Sequence, residues 1–167
     1  MTRKLPLTLI GISYKTAPIE IREAVAFSKE EQAFLIRQLN HQFSFKGIMI
    51  LSTCNRTEIY LSGESSADIT AVRNWLNEYK DCLYFTDDGY FYVLQGKEAV
   101  VHFFQVISGL DSQILGEPQI TGQVKEAYRL AYSCGGTDTF LNKLINFGLQ
   151  AQKKVRRETL PNQQNLS

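Results

Sequence analysis

The chain has 167 residues and a formal charge of +1, with 44% hydrophobic and 21% charged residues. This is ordinary globular composition, and a chain of this size buries roughly two-thirds of its unfolded surface without disulfide staples. The charge excludes the basic excess of a protein that wraps nucleic acid, no N-terminal apolar stretch resembles a signal peptide, and no run approaches membrane-spanning length.

Leu5 to Tyr14 is rich in apolar and β-branched residues and is broken by Ala17-Pro18, which predicts a first strand. Ser28 with Glu31 three residues on forms a capping box, followed by Leu35, Ile36, Leu39 and Phe43 at helical spacing. Strands are expected over Gly47 to Ser52 and Glu58 to Ser62, joined by Thr53-Cys54-Asn55-Arg56-Thr57. Ile69, Val72, Leu76 and Tyr79 mark a second amphipathic helix, and Cys82 opens a short β-like stretch. The turn formers Asp87-Asp88-Gly89 then precede a strand from Tyr90 to Leu94. The order βαββαβ is the ferredoxin-like pattern. Beyond Gly96 the character is helical: Lys97 to Ile107 ends near Gly109, Pro118 suits the first turn of the next helix, and Gly135-Gly136 stops it. A last helix begins near Asp138. The expected fold is therefore α+β, a ferredoxin-like sandwich over 1–95 followed by a helical segment over 96–159. From Pro161 the polar, aperiodic sequence predicts a frayed tail, assigned to 160–167. Lys153, Lys154, Arg156 and Arg157 read as favourable charge at a helix C-terminus rather than as a binding patch.

The three cysteines, Cys54, Cys82 and Cys134, are odd in number and have no zinc-like spacing, so free thiols in a reducing cytoplasm are expected. Cys54 follows a strand apolar enough to be buried, a rigid place from which to present a side chain. Arg56 lies two residues on, where a guanidinium favours thiolate, and turn amides there can donate to an oxyanion. The competing role is that of a small buried hydrophobe, the commonest one for a free cysteine. Cys134 sits on an apolar helical stripe and Cys82 has no evident activating partner. His102 lies among Val100, Val101, Phe103 and Phe104, which suits a packed core histidine as well as a proton-handling one. Asp111, Ser112, Gln113, Glu117, Gln119 and Gln123 surround one helix start, either as a polar pocket or as caps and turn formers. On these residues alone the candidates are a thiol enzyme, including a hydrolase using Cys54 and His102, and a non-catalytic RNA-binding module. The latter would need exposed aromatics on its central strands, for which GIMILSTCN is the wrong composition.

Three ordered segments resemble the glutamyl-tRNA reductases: GISYKTAPIEIREAVAF (11–27), STCNRTEIY (52–60) and HFFQVISGLDSQILGEPQITGQVKEAY (102–128). Ser13 and Tyr14 stand where the family has Asn-His, while Lys15-Thr16-Ala17-Pro18 is intact. The resemblance implies a two-step reaction. A Cys54 thiolate attacks glutamyl-tRNA to form a thioester, which NADPH reduces to glutamate-1-semialdehyde for tetrapyrrole synthesis. It further implies a substrate loop of Thr53, Cys54, Asn55 and Arg56, and a glutamyl pocket lined by Ser112, Glu117, Pro118, Gln119 and Gln123. His102 matches a histidine important for activity, Arg56 is expected to take the substrate side-chain carboxylate, and Glu117 its ammonium. NADPH is expected to bind a domain absent from these residues, since no GxGxxG occurs. For the full-length enzyme the implied partners are glutamate-1-semialdehyde aminotransferase and a second copy in a homodimer.

Overall fold

The computed structural model describes residues 4–63, 69–114 and 118–164. In chain order the elements are β1 (Leu7–Ser13), α1 (Ile19–Ala24), α2 (Lys29–Phe43), β2 (Gly47–Ser52), β3 (Arg56–Ser62) and α3 (Ile69–Lys80). A 3-10 turn (Tyr84–Thr86), β4 (Tyr92–Gln95), α4 (Lys97–Ile107), α5 (Pro118–Ser133) and α6 (Thr139–Gln164) follow. The four strands form one antiparallel sheet in the order β2-β3-β1-β4. This is the ferredoxin-like arrangement expected from the element order.

Strand periodicity sorts the core onto two faces. On β3, Glu58 meets His102 of α4, Tyr60 stacks edge-on against Phe103 of α4, and Ser62 Oγ donates to Asp138 just before α6 (2.7 Å). The helices after the sheet therefore cover the face carrying the even-numbered residues of β3. The intervening Ile59 and Leu61 point to the other face, and all seven residues of β3 are buried. The Ser28–Glu31 capping box starts α2 with both reciprocal bonds in place, 3.0 and 3.1 Å.

Gly11 couples the sheet to the site. It lies opposite Glu58 on β3 and opposite Tyr92 on β4. A Cβ added there would come within 2.6 Å of the Tyr92 ring. The missing side chain is what lets Tyr92 cross the strand and donate its hydroxyl to Glu58 (2.5 Å).

Four local expectations are corrected. The stretch from Cys82 is a turn and a 3-10 segment, not β-like: the buried Asn77 side chain accepts from Phe85 N and donates to Thr86 Oγ1, both at 2.9 Å, which competes with strand pairing. A short α1 follows Pro18 where no helix was expected; six residues are too few to show a period. Finally, α6 continues to Gln164, so the frayed tail expected from Pro161 is helical as far as that residue. A proline this close to a helix end removes a backbone donor without breaking a long run. Lys153, Lys154, Arg156 and Arg157 are exposed but lie inside α6, away from the last turn where the dipole acts.

Gly11→Ala is expected to push the Tyr92 ring off its seat and lower unfolding free energy by about 1–3 kcal/mol in urea titrations. An unchanged midpoint would show that Tyr92 has another way to Glu58.

Candidate active site

The β2–β3 connection is closed by Thr53 N donating to Arg56 O (2.8 Å). Thr53 Oγ1 then accepts from the amides of Asn55 (3.1 Å) and Arg56 (3.2 Å). Of the turn amides expected as oxyanion donors, those two are thus engaged within the loop. Among the described residues none accepts from the Cys54 amide. The loop is pinned from outside by Tyr14 N on Asn55 O (2.8 Å) and by Arg22 Nη1 on Cys54 O (2.9 Å), with Asn55 Oδ1 at 3.5 Å. Cys54 itself is exposed. Cys82 and Cys134 instead pack against the hydrophobic core.

Arg56 begins β3 and is only 2% exposed. Its Nη1 donates to Glu58 (3.2 Å) and its Nη2 to the Asp111 carbonyl (2.6 Å) and carboxylate (2.9 Å). Lys15 reaches the other oxygen of Asp111 at 2.5 Å. Glu58, wholly buried, also accepts from Tyr60 (2.7 Å), Tyr92 (2.5 Å) and His102 Nε2 (2.5 Å). An ionised carboxylate only accepts, so His102 carries its proton on Nε2. Burial works against ionising Glu58, but His102, Arg56 and Tyr92 hold its carboxyl below the usual carboxylate range. Burial likewise opposes the Arg56 charge, and Glu58, Tyr92 and Asp111 raise its pKa regardless. Asp111 is held low by Lys15 and Arg56 against its own partial burial.

Thr53, Cys54, Asn55, Arg56, Ser112, Gln119 and Gln123 line one small cavity of about 40 Å³, together with Ile120. Seven of the expected site residues are thereby brought together by the thiol loop, the stretch after α4 and the start of α5. His102 is not among them; its imidazole joins Glu58, and no hydrogen bond connects it to Cys54. Pro118 heads α5, and Glu117 lies outside the described residues. Sequence reasoning missed Arg22, Glu58 and the pairing of Lys15 with Asp111. Glu58 carried a signal, a carboxylate in the middle of a strand buried throughout.

Fold and site together define a ferredoxin-like domain that presents an exposed cysteine at a hairpin tip beside a polar pocket. The family profile described as Glutamyl-tRNAGlu reductase, N-terminal domain, matches residues 10–159. A Glutamyl-tRNA reductase from Thermodesulfovibrio yellowstonii is 41% identical over 163 residues, covering 93% of this chain and 38% of that protein. One from Aquifex aeolicus is 43% identical over 151 residues, covering 89% and 36% respectively. The solved Glutamyl-tRNA Reductase from Methanopyrus kandleri aligns with a TM-score of 0.73 at 33% identity, over 92% of this chain and 35% of that one. The chain belongs to the glutamyl-tRNA reductase N-terminal domain family, and it spans little more than a third of these relatives.

Because the Glu58 and Asp111 pKa values are depressed in the fold, the unfolded chain binds more protons between their folded values and the ordinary carboxylate range. Their stabilisation is present above about pH 4 and is lost as pH falls through the folded values. Thermal unfolding midpoints should drop on acidification in that window, and less so in Glu58→Ala. At neutral pH that variant, which leaves Arg56 with Asp111 alone and deprives Tyr60, Tyr92 and His102 of their shared acceptor, should lose about 3–5 kcal/mol. A wild-type midpoint indifferent to acid would contradict the buried-carboxylate account.

Proposed function

We propose that this chain performs the acyl-transfer half of glutamyl-tRNA reduction, with Cys54 as the nucleophile. The reading is carried by one observation: the exposed thiol sits on a multiply pinned loop that lines the same cavity as Arg56, Ser112, Gln119 and Gln123. The thiolate attacks the ester carbonyl of the glutamyl group; the carbon–sulfur bond forms and the bond to the terminal ribose oxygen breaks. That oxygen leaves with the electron pair and takes up a proton, and a glutamyl thioester remains on Cys54. Arg22, bonded to the Cys54 carbonyl, keeps the nucleophile's backbone in place and brings a fixed positive charge to the loop.

Arg56 is assigned to the substrate side-chain carboxylate by exchange. Asp111 holds one face of its guanidinium, on the side near solvent, while Glu58 holds the buried face. A carboxylate already bonded to Arg56 and Lys15 supports the reading of that position as a carboxylate seat. His102 acts as a positioning residue, through Glu58 and Arg56. No hydride step is assigned to these residues. The sequence contains no GxGxxG, and among the described residues no strand leads through a glycine-rich turn that lets the backbone approach a pyrophosphate, so the residues present do not fit NADPH.

Brief exposure to glutamyl-tRNA followed by mass spectrometry should find a glutamyl adduct on Cys54. Cys54→Ser should abolish it, because a serine hydroxyl stays protonated without a dedicated base, whereas Cys82→Ala and Cys134→Ala should spare most of it. Near-wild-type acylation of Cys54→Ser would refute a thiol mechanism. Arg22→Ala should slow acylation by about 10- to 100-fold, the equivalent of one charge-assisted hydrogen bond, with the fold retained. Single-turnover rates beside a melting curve separate that outcome from simple unfolding.

A further inference from the structure

A second and much larger cavity, about 960 Å³, lies between the start of α2 and one face of α5. Gln119 and Gln123 line both this groove and the small cavity at Cys54, so the two adjoin across these side chains. The α5 residues that line it recur at helical spacing from Gln119 to Ser133, which makes the groove about 21 Å long at 1.5 Å per residue. We propose that this groove binds the single-stranded 3′-terminal nucleotides of the tRNA that carries the glutamyl ester.

The proposal rests on the reading of Cys54 as acceptor of the glutamyl group. If the ester carbonyl lies at Cys54, the next groups along the substrate are the terminal ribose and the nucleotides before it, and they need a channel that starts at the pocket. The groove adjoins it, with Gln119 and Gln123 between the two. Half-buried Leu130 offers apolar surface on its wall against which a base can lie, while Phe27, Ile50 and Leu51 beneath belong to the buried core. Lys29 on one wall and Arg129 on the other supply cations for phosphates. The acidic Glu126 is paired with Arg129 at 2.7 Å, in an exposed bridge that a phosphate can replace at small loss.

Gly122 is an independent pointer. It lies inside α5 and lines the groove, although glycine is a poor helix former. A Cβ there would meet nothing within 4 Å, so packing within the described residues does not demand a glycine. A ligand backbone passing close to the helix would.

The test uses two acyl donors for Cys54, glutamyl-tRNA and a small glutamyl α-thioester that has no nucleotide, with the adduct followed by mass spectrometry. The double variant Arg129→Glu, Ser133→Glu lies at the end of the groove far from the thiol. It should slow acylation by glutamyl-tRNA about tenfold or more and flatten its salt dependence, while the small donor reacts at the wild-type rate. Gly122→Leu should give the same split with a raised melting temperature, because leucine favours the helix. Equal slowing with both donors, or no slowing with either, overturns the groove assignment. Failure of both donors to acylate wild-type Cys54 would instead refute the chemistry on which it rests, and the groove assignment would fall with it.

Discussion

A carboxylate with no access to water must have its oxygens filled by donors, and Glu58 is the point on which this constraint acts. Its four donors come from three elements: Arg56 and Tyr60 from β3 itself, Tyr92 from β4 and His102 from α4. The tyrosines stay protonated, since burial and then the adjacent Glu58 charge raise both of their pKa values. One buried anion therefore fixes the angle between the sheet and the first helix laid across it. Removing any one donor leaves charge in the core with an empty lone pair, a larger penalty than the net worth of the bond lost.

The same anion sets the geometry of the thiol loop. Arg56 is the residue at which β3 begins, and Glu58 anchors its guanidinium inward. The chain before it then has only the span from Ser52 to Arg56 in which to turn. Thr53 organises that turn from within, and Tyr14 and Arg22 hold it from outside. Ser13 is spent locally: its hydroxyl accepts from Lys15 N (3.2 Å) and its carbonyl from Thr16 Oγ1 (3.1 Å). On the proposed role of Cys54, an exposed thiol on a backbone restrained at several points loses little freedom when it meets a substrate, which is the value of building a nucleophile onto sheet ends.

What could be read from the sequence follows from the range of the interactions. The capping box of α2, the span Gly47–Ser52 of β2 and the span Lys97–Ile107 of α4 were legible, because caps, apolar runs and periodicity are local. The grouping of Thr53, Cys54, Asn55 and Arg56 with Ser112, Gln119 and Gln123 came from resemblance to a family; spacing along the chain would not have given it. The orientation of Arg56 was not legible by either route. Its partner Asp111 is 55 residues away, and His102 meets Glu58 across 44 residues. Read locally, Arg56 was a cation next to a cysteine; in the fold its charge faces two carboxylates, and Arg22, from a helix too short to announce itself, holds the thiol loop.

The size of the proposed glutamyl pocket connects these observations to selectivity. About 40 Å³ holds a water or two and not an amino-acid side chain, so a substrate must displace something that lines it. The two sides of Arg56 differ in what displacement entails. Expelling Glu58 would uncover a fully buried carboxylate, whereas Asp111 is 13% exposed and its other partner, Lys15, is 54% exposed and able to follow it into water. On the proposed exchange, a glutamyl carboxylate replaces Asp111 charge for charge, with the desolvation of Arg56 already met by the fold. A glutaminyl amide replaces it with a neutral group and leaves the guanidinium short of an anion on that side. The discrimination then comes less from a new attraction to glutamate than from the deficit that any uncharged competitor would create.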